Sequence, residues 1–164
     1  MKGSNIMRND LSWDSYWGSI DSSIVDGWEK RIGVKFPRDY QKIVEKYNGA
    51  YVLDKEAYEF YSNFSQSDAT HELGLMHALG GDVDSVTETM EWSLEHKPFG
   101  FPSELVSFAR DGGGNLLCFD YRDNKYNSEP TIVLWHIDGQ PGSGRELSCI
   151  AFTFNEFLDM LIEE

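Results

Sequence analysis

Apolar residues in this chain follow a helical period twice, near the start and at the end, and a strand period for most of the length between. From Ser23 to Asn48 they recur every three or four positions. After Gly49 they fall in short aromatic and β-branched runs broken by Gly, Asn and Asp, and after Thr153 helical spacing returns. Two helices, a run of short strands and a closing helix follow one another along the chain. The expected class is α+β: a mostly antiparallel sheet flanked by an N-terminal helix pair and a C-terminal helix. With 164 residues the chain fits one domain, 1–164, whose polar first residues, about 1–9, are expected to fray.

Within the helix pair, Ser23 is the expected N-cap with Asp26 three residues on, and Ile24, Trp28 and Ile32 share a face before Gly33 stops the helix. Pro37 suits the first turn of the second helix, where its missing N–H is harmless; Tyr40, Ile43, Val44 and Tyr47 line its core side, and Asn48-Gly49 ends it. Basic residues gather here, at Lys30, Arg31, Lys35, Arg38, Lys42 and Lys46. Strands are expected at 51–53, 58–61, 105–109, 115–121 and 131–137, with Asp111-Gly112-Gly113-Gly114-Asn115 and Asp123-Asn124 as turns. Thr153 and Glu156 form a capping box for the last helix, Phe152 and Phe157 suit a staple across it, and Phe154, Phe157, Leu158, Leu161 and Ile162 line one face. Cys118 and Cys149 lie in apolar strings and are expected to be buried thiols in core strands.

Charge narrows the function. Twenty-eight Asp and Glu against 14 Lys and Arg leave a net charge of −14, a field that repels phosphate backbones and anionic lipid and attracts basic partners. Neither a signal-peptide pattern nor an apolar run of membrane-spanning length occurs, so the chain reads as cytoplasmic, with no nucleic acid and no membrane as partner. Catalytic motifs are wanting. His71-Glu72-Leu73-Gly74-Leu75 has leucine where a zinc-protease helix needs its second histidine, and His77 is six residues from His71. The glycine run 112–114 lacks the lysine of a phosphate loop and is better explained as a hairpin needing positive φ. Residues 120–125 put Arg122 and Lys125 where a calcium loop needs oxygen and glycine. No nucleophile–base pairing is readable from spacing. The reading is therefore a non-enzyme with no catalytic, cofactor or metal residues to nominate.

Position matters as well as amount. Between Asp54 and Glu95 there are ten acids and one base, Lys55. With Asp82–Glu95 read as a helix closing before Pro98, Asp84, Glu88, Glu91 and Glu95 fall at roughly 0°, 40°, 340° and 20° on a wheel, one face of carboxylates. Val83, Val86, Met90 and Leu94 gather on another face, toward the core, and Trp92 lies beside the acids. Like charges at these spacings cost a helix roughly 0.2–0.5 kcal/mol per pair. Either this is a solvated face of an acidic protein, or it is a partner-binding face made of Asp84, Glu88, Glu91, Trp92 and Glu95, with Trp92 as its aromatic anchor.

Three stretches carry a family resemblance. Trp28-Glu29-Lys30-Arg31-Ile32-Gly33-Val34-Lys35-Phe36-Pro37-Arg38-Asp39-Tyr40, followed by Tyr47-Asn48-Gly49, resembles the opening of the SUKH superfamily, which groups bacterial immunity proteins with fungal cell-wall synthesis regulators. Phe108-Ala109-Arg110-Asp111-Gly112-Gly113-Gly114-Asn115 leading to Phe119-Asp120 is similar to the family's central hairpin, and Phe152 to Leu158 to its closing helix. The likeness runs over about 20–162; Ala50 stands where a glycine is usual and Phe36 where a leucine is. It implies an α+β fold and a non-catalytic immunity protein that neutralises a cognate toxin, a basic nuclease domain being one such partner. The alternative it implies is a regulatory scaffold with several protein partners. Monomer and homodimer both remain open.

Overall fold

The computed structural model describes residues 6–164. Its strands and helices run β1 (Ser12–Ser15), α1 (Ser22–Ile32), α2 (Arg38–Lys46), β2 (Ala50–Leu53), β3 (Ala57–Ser62), β4 (Ser67–Met76), α3 (Met90–Glu95), β5 (Leu105–Asp111), β6 (Leu116–Asp120), β7 (Thr131–Trp135), β8 (Leu147–Ala151) and α4 (Phe154–Met160). Strands β3 to β8 form one antiparallel meander in sequence order, and β1 pairs with β2 as a separate ribbon. The meander curls until its first and last strands meet. Asn63 donates from its backbone N–H to Ser148 Oγ at 2.9 Å and from Nδ2 to the Leu147 carbonyl at 2.7 Å.

One face of the meander carries the helices. Tyr40 of α2, wholly buried, packs ring to ring on Phe36, Phe108, Phe119 and Phe154 at 5.3, 5.9, 5.0 and 5.8 Å, mostly edge to face. Phe157 and Leu158 extend this core from α4, and Val25 and the partly buried Trp28 extend it from α1. The opposite face buries Leu105, Cys118, Val133 and Trp135, with Phe101 packed against them. No described helix is long and apolar enough to cross a membrane.

Several expectations need correction. The cap of α1 is Asp21, whose Oδ1 accepts from the Ser23 N–H, so Ser23 lies in the first turn. Gly33 closes α1 as expected, at φ 83. Pro37 stands one place before α2, at its N-cap. Cys149 is exposed while Cys118 is buried, because residues of β8 alternate between core and solvent. Phe152 is 73% exposed and staples nothing; Ile162 follows α4 and bridges Ala57 of β3. Arg8, within the segment expected to fray, donates from Nη1 to the Leu158 and Leu161 carbonyls at 2.8 and 2.7 Å, covering the orphan end of α4. Residues 1–5 lie outside the described residues. Strands β1 and β4 were not expected at all.

The capping box is present. Thr153 Oγ1 accepts from the Glu156 N–H at 3.1 Å, and Glu156 Oε2 accepts from the Phe152 N–H at 3.0 Å. Thr153→Ala should therefore lower stability by about 1 kcal/mol; thermal denaturation would register a drop of a few degrees, whereas Thr153→Ser should stay near wild type.

Candidate functional site

Helix formation over 82–95 is confined to its last six residues. Thr89 caps α3, accepting from the Trp92 N–H at 3.1 Å and donating its hydroxyl to the Val86 carbonyl at 2.8 Å. Upstream, Val83, Val86 and Thr87 are β-branched, and Asp82, Asp84 and Ser85 have side chains that compete for the backbone, so the stretch gains little from a helix. Residues 88–90 instead lie along Ala78, whose N–H donates to the Glu88 carbonyl and whose carbonyl accepts from the Met90 N–H. The single carboxylate face does not form, and Val86, expected in the core, is 72% exposed. Met90 and Leu94 do meet the core.

The five nominated residues part company. Glu91 is tied to α1 by a two-armed ion pair with Arg31, one arm from Nη2 to Oε1 at 3.1 Å. The Arg31 guanidinium holds the Glu91 carboxyl below its usual range, helped by a hydrogen bond with Glu95. Trp92 is half-buried, stacked on His96 at 4.4 Å, and the Arg110 guanidinium sits 5.1 Å from its ring centre. Asp84 and Glu88 lie elsewhere, at a groove that sequence reading did not find.

Its first wall comes from the chain leaving β1. Pairing of Asp14 with Tyr51 and Ser15 with Ala50 brings Tyr16 and Trp17 beside the end of α2. The Trp17 ring lies so close to Gly49, itself at φ 73, that a Cβ there would stand 2.4 Å from Cε3. Trp17 Nε1 donates to Asp84 Oδ1 at 2.9 Å, fastening the 82–88 loop to this wall. Tyr16 packs against Trp17 and Tyr51 at 5.7 and 5.2 Å while remaining 70% exposed. Asn48, fully buried, holds the other side of the loop: its Nδ2 donates to the Gly80 carbonyl at 2.5 Å and its Oδ1 accepts from the Leu79 N–H at 2.9 Å.

The groove, of about 460 Å³, runs between Tyr16 and Trp17 on one side and Gly74, Leu75, Ser85, Glu88, Arg110 and Asp111 on the other. Gly74 is required where β4 crosses β5, since a Cβ would stand 2.7 Å from the Arg110 carbonyl oxygen. Behind Arg110 lies His77, buried against Ser107 Oγ at 2.8 Å and pushed down to about 3 by burial and then by the Arg110 charge. Asp111 is fixed from within the fold. Its Oδ1 accepts from the N–H groups of Gly113 and Asn115 at 2.9 Å, its Oδ2 meets His71 Nδ1 at 2.5 Å, and Gly114 turns the hairpin at φ 83. The glycine run is thus a turn anchored by a buried carboxylate, and His71 sits on a strand.

Elsewhere Glu56, Glu72 and Glu164 bring carboxylate oxygens within 4.8 Å of one another. Glu72 is pushed up by its hydrogen bond with Glu164 and by that neighbour's charge. This group lies outside the groove.

The groove thus brings together an aromatic ridge, Arg110 and an acidic loop. The sequence profile of the SMI1 / KNR4 family (SUKH-1) matches residues 20–160. The chain is also similar to the SPbeta prophage-derived uncharacterized protein YokK of Bacillus subtilis (strain 168), at 25% identity over 149 residues, covering 83% of this chain and 71% of that protein.

Proposed function

The chain belongs to the SMI1 / KNR4 family (SUKH-1), and from that membership we infer that it is an immunity protein, which binds and neutralises a basic toxin domain, such as a nuclease, without catalysis of its own. A prophage-derived relative fits an immunity-type role. The observation that carries the reading is the loop at 82–88. Asp82, Asp84 and Glu88 form no ion pair with any described lysine or arginine, while Arg31, Lys35, Lys42 and Arg122 each pair with another carboxylate. A negative rim with no ion pair of its own beside the exposed Tyr16 ring suits a positively charged protein surface, and a nuclease carries one for its substrate.

Co-expression tests this. The chain should restore growth to cells producing the toxin domain encoded beside it, and the two should co-purify as one complex. Reversing the rim with Asp84→Lys and Glu88→Lys should cut the association rate about tenfold or more at low salt and flatten its salt dependence. Stopped-flow or surface-based kinetics would measure both. Continued toxicity with no complex would refute the neutralising role.

A further inference from the structure

We propose that the groove seats an arginine side chain carried on a loop of the protein partner, with the guanidinium stacked on the Tyr16 and Trp17 rings and directed at Asp84 and Glu88; this rests on the reading of the partner as a basic protein.

The ridge is built before any partner arrives. Trp17 is held from below by Gly49 and from the side by Asp84, and Tyr16 leans on both Trp17 and Tyr51. Little side-chain freedom is left to lose on binding, which favours affinity. A large ring 70% exposed on such a rigid support offers a π-face to solvent. Its neighbours Asp14 and Asp84 are exposed and Glu88 is half-exposed. A flat, weakly hydrated cation matches that combination better than a compact ammonium, because a guanidinium can stack and donate in its own plane at once.

The opposite wall supplies the complement. Arg110 rests on Trp92, and among the described residues its N–H groups meet no carboxylate and no hydrogen-bond acceptor. They suit the backbone carbonyl oxygens of the same incoming loop. Phosphate-bearing ligands are disfavoured by Asp82, Asp84 and Glu88 on the rim. A second copy of this chain is disfavoured by the net charge of −14 and by the pairing of Arg31, Lys35, Lys42 and Arg122 within the fold.

The test uses capped Gly-Arg-Gly, Gly-Lys-Gly and Gly-Glu-Gly peptides titrated into the 15N-labelled chain. The arginine peptide should shift the Trp17 indole N–H and the Tyr16 and Tyr51 amides saturably, the lysine peptide more weakly, the glutamate peptide not at all. Tyr16→Ala should abolish the shifts while Glu59→Gln on β3 leaves them intact. Equal shifts from arginine and lysine scattered over all acidic positions, or shifts that survive Tyr16→Ala, overturn the arginine seat. Against a toxin captured as described above, Tyr16→Ala should weaken affinity about thirtyfold. Unchanged affinity would refute the groove while leaving the toxin reading intact. Failure of the wild-type chain to capture a protein would refute the toxin reading and with it the partner loop, whereas the peptides decide separately whether the groove prefers arginine. Sedimentation showing a dimer that Tyr16→Ala dissolves would assign the ridge to self-association and overturn the proposal.

Discussion

Asn48→Ala is expected to lower the unfolding free energy by about 3 kcal/mol, among the larger effects a single side chain can have. Asn48 is fully buried and uses both ends of its amide, donating to the Gly80 carbonyl and accepting from the Leu79 N–H. Truncation leaves that donor and that acceptor without partners in a region where Leu79 is only 2% exposed. It also releases the start of the loop that carries Asp84 and Glu88, so the damage reaches the groove. Urea unfolding followed by Trp fluorescence should show a lower midpoint with an unchanged slope. Asn48→Asp keeps the acceptor, loses the donor and buries a charge, so it should not rescue. A loss below about 1 kcal/mol would mean that the Asn48 amide does not hold the loop.

The second large effect is a fall in stability as the medium is acidified. His77 is held neutral by burial and then by the Arg110 charge, with its pKa brought from an ordinary 6.5 to about 3. In the unfolded chain it gains a proton near pH 6.5 that the folded chain refuses, so stability is fully present above that pH and is lost as pH falls towards 3. One such proton is worth up to about 1.4 kcal/mol per pH unit, or about 2 kcal/mol between pH 7 and 5. His136 is also pushed down, by burial and then by His71, and adds to the trend in the same direction. Denaturant titrations at pH 7 and 5 should show the loss in the wild-type chain and a loss smaller by about 2 kcal/mol in His77→Gln, which cannot take up the proton. Identical pH dependence in the two would place the proton elsewhere.

The architecture was legible where local chemistry and tertiary packing agree. Gly33 at positive φ, the Tyr40–Ile43–Val44 stripe, the glycine hairpin and the Thr153–Glu156 box each rest on neighbours within a few residues, and each is present. Strand β4 escaped because its first half, Ser67 to Thr70, is polar and mostly exposed, and because Gly74 at the crossing reads as a break. Strand β1 escaped because four residues with alternating exposure leave almost no signal. The wheel over 82–95 failed for a different reason: it assumed a helix through β-branched and short polar residues, where bonding along Ala78 takes precedence over propensity.

The site was only half legible. Acid content pointed to the 82–88 loop, and within it Asp84 bonds Trp17 while Glu88 lines the groove. Glu91, by contrast, is engaged by Arg31, sixty residues earlier, and no periodicity could disclose that. Tyr16 and Trp17 were invisible for the same reason, since Trp17 reaches Asp84 across 67 residues and is placed by Gly49 rather than by its own neighbours in sequence. Arg110 entered only as one residue of the hairpin motif, and its stacking on Trp92 required the sheet to be assembled first.

Hydrogen–deuterium exchange of the chain, alone and in complex with the proposed toxin partner, tests the proposed docking surface most directly. Slowed exchange on binding is expected at 14–18 and 82–88, together with Arg110, and little change along the β3–β4 hairpin. Protection confined to that hairpin or to the 122–128 loop, with 14–18 and 82–88 unaffected, would contradict that docking surface.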